Sequence, residues 1–178
     1  MNHNDHVNLI YAAIPKSGGV WADFGAGSGA FTLALADCMG GSGTIYAIDQ
    51  DESALRQNQQ AVVSRFPGIT SHYLVGDFTK SVPLPELDGL VIANALHFYR
   101  RKEPILSQLM SYLKPGGRFI VVEYNTDHGN QWVPYPFTYT IWEGLAAFVG
   151  LTNTRQLAVR PSRFLQEIYS AVSIKSMD

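Results

Sequence analysis

Hydrophobic and polar positions follow one another along the chain as short apolar runs separated by longer amphipathic segments. Five apolar runs predict strands, at 20–24, 44–48, 69–75, 88–94 and 118–123. The segments between them predict helices, at 30–39, 52–63 and 103–113. Because strands that alternate with helices form a parallel sheet covered on both faces, the sequence predicts an α/β fold of the doubly wound kind.

The two ends of the chain depart from this alternation. Residues 1–15 carry apolar positions at helical spacing and end at Pro15, which predicts a short helix that lies against the domain and could cover a ligand. Residues 157–159 and 168–174 predict two closing strands joined as a hairpin through 160–163, although the second segment could instead be helical. No linker or repeat divides the 178 residues, so we expect a single domain over 1–178.

The clearest local motif is Asp23-Phe-Gly-Ala-Gly-Ser-Gly29, between the first predicted strand and the first predicted helix. Its glycines allow a tight turn and let a bulky ligand approach main-chain N–H groups. The same segment satisfies the dinucleotide pattern G-x-G-x-x-A, so glycine spacing alone does not separate a nicotinamide cofactor from other adenosine-containing ligands. Asp23 could cap the turn or lie near a ligand's amino group, and the sequence leaves both interpretations open.

Acidic residues end the next two predicted strands. Asp49 lies where a carboxylate that accepts hydrogen bonds from both ribose hydroxyls is expected. Asp77 could accept from an adenine amino group while Phe78 covers the base. Either aspartate could instead cap a helix, but their order behind the glycine motif favours binding. Ligands of open sheets bind at the carboxyl ends of strands, so the three loops should converge on one crevice.

Taken together, these motifs resemble those of the class I S-adenosylmethionine-dependent methyltransferases. The resemblance rests on the glycine motif, Ala47-Ile-Asp-Gln50, Gly76-Asp-Phe78 and Leu113-Lys-Pro-Gly-Gly117, in that order along residues 18–124. It implies S-adenosylmethionine as cofactor and S-adenosylhomocysteine as product. It also implies a Rossmann-like, mostly parallel seven-stranded sheet in the order 3-2-1-4-5-7-6, with helices on both faces and an antiparallel seventh strand.

The resemblance also assigns the residues that bind the cofactor. They are Asp23, Gly25, Ala26, Gly27, Gly29, Asp49, Gln50, Asp77, Phe78, Asn94 and Ala95. The three glycines of the motif would flank the methionine part, Asp49 the ribose, and Asp77 with Phe78 the adenine. The loop that starts at Asn94 would lie beside the reactive methyl group.

Residues after the fourth and fifth predicted strands are candidates to act on the methyl acceptor. His97 is the best candidate for a general base, which is needed only where the acceptor must lose a proton. A structural histidine, hydrogen-bonded to a loop, is an equally good interpretation. Glu123 and Tyr124 end the fifth strand and could face the acceptor or fix the following loop.

Residues 124–149 are rich in aromatic side chains and proline, and they predict a lid on the acceptor side with a helix around 141–149. The aromatic cluster of this segment could cover a planar small molecule or could simply pack the loop against the body; it comprises Trp132, Tyr135, Phe137, Tyr139 and Trp142. The basic run 100–102 could attract an anionic acceptor, although three charges where a helix begins usually form a solvated surface.

Charge and composition narrow the partners to a small-molecule acceptor. The net charge of -2 disfavours nucleic acid, and Asn94-Ala-Leu-His97 lacks the Asn-Pro-Pro-aromatic signature of enzymes that methylate nucleic-acid amino groups. The acidic balance of residues 1–89 suits a cationic sulfonium, although ordinary solvated helix faces are the commoner explanation.

Cysteine and histidine usage bears on compartment and metals. Cys38 is the single cysteine and is expected to be a buried thiol; with no apolar run of membrane length, the chain is predicted to be cytoplasmic and not membrane-bound. His3 and His6 are a weak metal candidate, so no metal is predicted. The pattern does not predict an oligomeric state.

Two rival functions share part of this pattern. A NAD(P)-dependent oxidoreductase would use the glycine motif and Asp49, but it leaves Asp77 and Lys114-Pro-Gly-Gly117 unexplained. A non-catalytic S-adenosylmethionine-binding module would keep the adenosine site and use its aromatic surface for a protein partner. The sequence favours an enzyme that transfers a methyl group in line to an unidentified acceptor.

Overall fold

A computed structural model describes residues 1–16, 18–162 and 164–177. The described residues form five α-helices: α1 His3–Ile10, α2 Ala30–Cys38, α3 Glu52–Arg65, α4 Glu103–Ser111 and α5 Tyr139–Phe148. They also form seven strands: β1 Val20–Phe24, β2 Gly43–Asp49, β3 Ile69–Val75, β4 Leu87–Ala93, β5 Leu113–Tyr124, β6 Leu151–Pro161 and β7 Glu167–Lys175. Short 3-10 helices cover Tyr11–Ala13 and Leu96–Phe98.

The strands form one sheet in the order β3-β2-β1-β4-β5-β7-β6. The first five strands pair in parallel, whereas β7 is antiparallel to both of its neighbours. This confirms the predicted Rossmann-like order and the antiparallel seventh strand. Because β4 lies beside β1, the strand order reverses there, and the crevice for a ligand is expected at the carboxyl ends of these two strands.

Apolar side chains fill both faces of the sheet beneath the helices. On one face, Phe24 and Phe119 pack in the same cluster as Trp142 of α5. On the other face, Trp21 packs in a cluster that contains Leu35 of α2 and residues of α1 and α3. Neighbouring residues of β1 thus point to opposite faces, as the period of a strand requires. Burial of this apolar surface is the main contribution to stability.

The two closing strands differ most from the sequence prediction. β6 begins at Leu151, well before the predicted start at 157, because its polar first half hides its strand character. The segment whose helical alternative was open forms β7, which lies buried between β5 and β6. The predicted hairpin connection 160–163 includes Arg163, which lies outside the described residues. The predicted turn at 114–117 interrupts the pairing of β4 with β5 between Leu87 and Gly89.

The N-terminal helix α1 lies against α2 and β6. It begins with reciprocal capping, in which Asp5 N–H donates to Asn2 Oδ1 at 3.0 Å and Asn2 N–H donates to Asp5 Oδ2 at 2.9 Å. The Arg118 guanidinium then holds the Ala13 carbonyl at 2.8 Å. Among the described residues, no helix combines the length and the apolar character needed to cross a membrane.

Candidate functional site

The loop after β1 turns tightly against the end of β2. Gly25 and Ala26 both donate their N–H groups to the Ile48 carbonyl, at 2.9 and 3.0 Å. Gly27 donates its N–H to Asp49 Oδ2 at 2.8 Å. These donors are engaged within the protein, so the loop presents its Cα surface to a ligand. The sequence predicted the turn, but it gave no sign that the main-chain donors would be used internally.

Asp49 ends β2 with a carboxylate fixed by main-chain donors. In addition to Gly27, Asp51 donates its N–H to Asp49 Oδ1 at 2.9 Å. Each carboxylate oxygen can accept a further hydrogen bond, so both remain usable by ligand hydroxyls. The cap of α3 is Asp51, whose side chain accepts from the N–H groups of Ser53 and Ala54. The helix-cap interpretation of Asp49 is therefore wrong.

Two cavities adjoin at the carboxyl ends of β1, β2 and β4. We call the first the Asp49 cavity; its volume is about 260 Å³, and its wall includes Gly25, Asp49, Gln50, Phe78, Asn94 and Ala95, with Phe98 and Tyr99. We call the second the Asp23 cavity; its volume is about 280 Å³, and its wall includes His6, Asp23, Gly25, Ala26, Gly27 and Asn94. Since Gly25 and Asn94 line both, the two cavities share a boundary there.

Asp23 is a buried carboxylate at the base of the Asp23 cavity. It is 1% exposed, and its Oδ2 accepts a hydrogen bond from the Thr32 hydroxyl at 2.6 Å. Thr32 in turn accepts from the Asn58 side-chain amide at 2.8 Å. Burial raises the pKa of Asp23 to about 7, since the Thr32 hydrogen bond offsets the loss of water only in part and Asp49 lies nearby. No ion pair with Asp23 is found among the described residues, so a cationic group would be favoured beside it.

Asn94 follows β4 in a left-handed backbone conformation, with φ of 51°. Residues held in this sparsely populated region cluster at ligand sites, and asparagine tolerates it better than most. The buried Oδ1 atom of Asn94 has no hydrogen-bond partner within the described parts of the chain. A buried acceptor without a partner costs stability, so it favours a ligand that carries a hydrogen-bond donor at the boundary of the two cavities.

Gly29 and Asp77 do not line either cavity. A Cβ atom added at Gly29, where φ is +99°, would lie 2.6 Å from Asn58 Oδ1, so this glycine lets α2 and α3 approach closely. Asp77 Oδ1 accepts from both the N–H and the hydroxyl of Thr79, at 2.9 and 2.7 Å. These hydrogen bonds hold the pKa of Asp77 below its usual value. Phe78, the neighbour of Asp77, does line the Asp49 cavity.

His97 and Glu123 form a buried pair behind the loop that follows β4. Glu123 Oε1 accepts from the N–H groups of Leu96 and His97, at 3.0 and 3.2 Å. Its Oε2 lies 2.8 Å from His97 Nδ1, and the His97 and Glu123 side chains are 4% and 0% exposed. The sequence predicted both residues near the acceptor but not their contact, because His97 follows β4 and Glu123 belongs to β5. Neither lines the Asp49 or the Asp23 cavity.

Tyr124, the third candidate, lines a separate cavity of about 630 Å³, which we call the Tyr124 cavity. The other walls come from the start of α1 and from the connection between β6 and β7. The Tyr124 ring lies edge-on to His97, with ring centroids 5.9 Å apart. The three candidates thus form one group, of which only Tyr124 reaches a cavity in the described structure.

Comparison with known proteins identifies the fold and the family. Residues 22–121 match the family described as "Methyltransferase domain". The match covers the glycine loop, β4 with the following Asn94, and most of β5. This chain belongs to the class I S-adenosylmethionine-dependent methyltransferases. The match favours this interpretation over the rival nicotinamide-dependent oxidoreductase, and it confirms S-adenosylmethionine as the cofactor.

The methyltransferase is similar to a curated relative and to solved structures. It is 29% identical over 135 residues to the ubiquinone/menaquinone biosynthesis C-methyltransferase UbiE of Burkholderia mallei, covering 75% of this chain and 53% of that protein. The chain therefore spans about half the length of this relative. Its fold is similar to that of the YcgJ protein from Bacillus subtilis, with a TM-score of 0.76 at 12% identity, covering 98% and 99% of the two chains.

A second solved structure of similar fold contains a bound product. This is phosphoethanolamine N-methyltransferase 2 of Haemonchus contortus, with phosphomonomethylethanolamine and S-adenosylhomocysteine. The TM-score is 0.78 at 15% identity, covering 97% of the methyltransferase and 52% of that chain. At this identity the likeness concerns the fold alone.

The chemistry of the two cavities of the methyltransferase fits S-adenosylmethionine. The buried carboxylate of Asp23 suits the ammonium of the methionine part, and the free lone pairs of Asp49 suit ribose hydroxyls. The Phe78 ring, at the wall of the Asp49 cavity, provides a surface for a purine. The sequence missed His6, Phe98 and Tyr99 as wall residues. His6 is distant in the chain, and the other two end and cap a 3-10 helix that no pattern predicted.

The aromatic cluster of residues 124–149 divides between core and surface. Phe137 and Trp142 are buried in the core cluster, whereas Trp132 and Tyr135 are 66% and 43% exposed. None of the cluster lines the Asp49, Asp23 or Tyr124 cavity in the described structure. Core packing therefore explains part of the cluster that was predicted to form a lid.

In the basic run 100–102, Arg100 and Arg101 are exposed, as a solvated surface requires, but for Lys102 that interpretation is wrong. Its side chain is buried, and its Nζ donates to the carbonyls of Tyr99 and Tyr135 at 2.8 and 3.0 Å. The ammonium also lies 4.9 Å from the centre of the Phe137 ring. Burial lowers the pKa of Lys102 from its usual value. This lysine joins the loop after β4 to the aromatic segment.

The described residues contain no group of three or more His, Cys, Asp or Glu side chains that could hold a metal ion. His3 Nε2 lies 2.9 Å from Asp37 Oδ2, whereas His6 lines the Asp23 cavity. Cys38 is a buried free thiol, and burial raises its pKa to about 12, which makes it a poor nucleophile.

Proposed function

We propose that the methyltransferase transfers the methyl group of S-adenosylmethionine in line to a small-molecule acceptor. One observation carries this proposal: the Asp49 and Asp23 cavities adjoin at Gly25 and Asn94 in a chain that belongs to the family. An adenosine in one cavity and an amino acid in the other would bring the sulfonium to their boundary. At that boundary, the methyl group would lie beside Asn94, near the carboxyl ends of β4 and β5.

Most of the residue roles follow from the walls of the two cavities, whereas those of Asp77 and Gly29 follow from their places beside wall residues. Asp49 and Gln50 would hold the ribose, and Phe78 and Ala95 the adenine, with Asp77 Oδ2 as an acceptor for its amino group. Asp23 would hold the ammonium of the methionine part against the Cα surface of Gly25, Ala26 and Gly27. Gly29 would act indirectly, because it lets α2 approach Asn58 and so fixes the loop.

The sulfonium supplies a methyl group that is already activated, so no covalent nucleophile is required of the protein. The chain's own residues hold the acceptor at near-attack distance and exclude water. For an acceptor that loses a proton, His97 is the proposed base. Glu123 takes the Nδ1–H of the imidazole, which leaves Nε2 as the proton acceptor. Glu123 is then a positioning residue, and Tyr124 is the side chain that faces the acceptor.

The small-molecule class of the acceptor is supported by what the similar proteins act on. The names of the relatives specify ubiquinone and menaquinone biosynthesis, and a structural neighbour holds phosphomonomethylethanolamine. Their names specify methylation at carbon in one case and at nitrogen in the other, so acceptors of both kinds belong in the test. The single-domain organisation over 1–178, the lid role of 124–149 and the cytoplasmic location stay predictions.

The test is turnover with a panel of small acceptors. The purified protein is incubated with S-adenosylmethionine and quinol, phenol and amine acceptors, and S-adenosylhomocysteine is measured by mass spectrometry against an acceptor-free blank. We expect product above the blank with at least one acceptor class and a large loss of rate in His97→Gln where the acceptor loses a proton. Binding of S-adenosylhomocysteine without turnover across the panel would instead support a non-catalytic module.

A further inference from the structure

The Tyr124 cavity has the size and the walls of a small-molecule site. Its volume of about 630 Å³ lies within the range of ligand pockets. Its walls include Asn2 and Asp5 from the cap and first turn of α1, and Tyr124 from the end of β5. Ser162 and Phe164 of the β6–β7 connection and Ile168 of β7 complete this part of the wall. Three parts of the chain that are distant in sequence thus meet around one cavity.

The cavity adjoins the place where the methyl group would be presented. In α1, Asp5 lines the Tyr124 cavity, whereas its neighbour His6 lines the Asp23 cavity. In the sheet, Tyr124 ends β5, which pairs with β4, and Asn94 directly after β4 lines the Asp23 cavity. At two places, in α1 and at the ends of β4 and β5, neighbouring residues line the Tyr124 cavity and the Asp23 cavity, so we infer that the two cavities are adjacent.

Two aromatic rings, those of Tyr124 and Phe164, form part of the wall of the Tyr124 cavity. The Tyr124 ring centroid lies 6.0 Å from that of Phe164 and 5.9 Å from that of His97. Phe164 is 49% exposed, so a large apolar ring faces the open space of the cavity. Rings at these separations pair favourably with a further aromatic group placed between or beside them.

The polar part of the wall can accept hydrogen bonds. Asp5 Oδ2 accepts from Asn2 N–H at 2.9 Å, and no hydrogen bond to Asp5 Oδ1 is found within the described part of the chain. Of the lining side chains that the structure describes, Asp5 is the one that carries a formal charge. A hydroxyl group on the ligand would satisfy Asp5 Oδ1, whereas a saturated apolar ligand would leave it unused.

We propose that the Tyr124 cavity binds the methyl acceptor, and that this acceptor is a planar aromatic molecule bearing a hydroxyl group. The acceptor role rests on the proposed function. The sequence predicted an acceptor-side lid in residues 124–149. In this proposal the acceptor instead contacts α1 and the β6–β7 connection. Tyr135 and Phe137 line a different cavity, together with Arg100 and Ile141, that shares no wall residue with the cofactor site.

The test uses two probes of the same skeleton, 2-naphthol and decahydro-2-naphthol, titrated into the protein saturated with S-adenosylhomocysteine. We expect 2-naphthol to bind and its saturated analogue to bind at least several-fold more weakly. Phe164→Leu should weaken 2-naphthol binding by about 2- to 12-fold, as expected for loss of one aromatic contact, whereas Phe164→Tyr should retain it. Tyr135→Leu, which alters the other cavity, is the matched control and should bind as the wild type does.

Each result decides the matter. Equal binding of the two probes, or a loss in Tyr135→Leu without a loss in Phe164→Leu, would overturn the inference. Affinity for S-adenosylhomocysteine, measured separately on every variant, verifies folding and tests the proposed function. If the product binds but 2-naphthol does not, the Tyr124 cavity is not the acceptor site and the proposed function stands. If the product does not bind, the proposed function fails, and the acceptor role fails with it.

Discussion

The cofactor cavities and the Tyr124 cavity are built in opposite ways. The walls around Asp49 and Asp23 come mainly from loops that directly follow β1, β2 and β4, and these loops converge because the strands are parallel neighbours. The Tyr124 cavity instead joins the start of α1 to the β6–β7 connection, across most of the chain. Local motifs thus determine the walls of the cofactor cavities, whereas contacts between distant segments determine the walls of the proposed acceptor site.

Glu123 binds the loop after β4 and is the neighbour of Tyr124, so it lies between the cofactor cavities and the Tyr124 cavity. We expect its removal to have the largest effect, which is on stability. Glu123→Ala leaves two main-chain N–H groups and the imidazole without their buried acceptor. We expect a loss of about 3 to 5 kcal/mol in the free energy of unfolding, measured by urea denaturation. Glu123→Gln keeps one oxygen acceptor and should lose less. Equal stability of Glu123→Ala and wild type would show that the pair does not hold the loop.

On the cofactor side, the protonation of Asp23 should make the affinity for S-adenosylhomocysteine depend on pH. Because its pKa in the free protein is about 7, an ammonium bound beside it must displace a proton at lower pH. We expect the affinity for S-adenosylhomocysteine to fall about tenfold per pH unit below 7, measured by calorimetry from pH 5 to 8. Asp23→Asn should bind weakly at every pH, and Glu86→Gln, in an exposed loop, should follow the wild type.

The Asp23 carboxyl should affect the stability of the ligand-free protein in the opposite direction, lowering it as the pH rises. The folded-state pKa of Asp23 lies above the ordinary value of 3.8, so its contribution to stability is present at low pH and is lost as the pH rises through about 7. Asp23→Asn should therefore stabilise the ligand-free protein at pH 8 in thermal unfolding. An Asp23→Asn variant that is less stable than wild type at pH 8 would mean that the ionised carboxylate is well accommodated without a ligand.

Asp49 should carry a smaller part of cofactor affinity. Asp49→Ala removes the carboxylate that would accept from the ribose and also releases Gly27 N–H. We expect S-adenosylhomocysteine to bind about 1 to 3 kcal/mol more weakly by calorimetry. Asp51→Asn, which alters the cap of α3 two residues away, is the control and should retain affinity. Unchanged binding in a folded Asp49→Ala protein would remove the ribose from the Asp49 cavity.

Asp77 should have the smallest effect, because Thr79 already occupies one of its oxygens. We expect Asp77→Asn to weaken S-adenosylhomocysteine binding by about 0.5 to 1.5 kcal/mol. The inosine analogue, which lacks the adenine amino group, should bind the variant no more weakly than it binds the wild type. An equal loss for both ligands would show that Asp77 acts only through the loop.

The sequence predicted the sheet and most of the cofactor wall because both follow from local patterns. The bounds of β1 and β3 agree with the apolar runs, and Asp49 lies where its spacing from the glycine loop indicated. Contacts between distant segments carry no such pattern. The sequence therefore did not predict the pairing of His97 with Glu123 or the position of His6 beside the cofactor site.

Two further differences have the same origin. From the sequence, Lys102 is expected to be a surface charge beside two arginines. In the folded chain its ammonium is buried and donates to two carbonyls that are distant from each other in sequence. From the sequence, Gly29 is expected to bind the ligand. In the structure a larger residue at this position would collide with Asn58 of the next helix. Residue type and spacing indicated that these positions matter, but tertiary packing decided how.

The central claim is that the Asp49 and Asp23 cavities together bind S-adenosylmethionine, and parallel calorimetric titrations test it most directly. The wild-type protein is titrated with S-adenosylmethionine, S-adenosylhomocysteine and NAD at pH 7.5. We expect S-adenosylmethionine and S-adenosylhomocysteine each to bind at one site per chain, and NAD not to bind. Binding of NAD alone, or of none of the three by a folded protein, would contradict it.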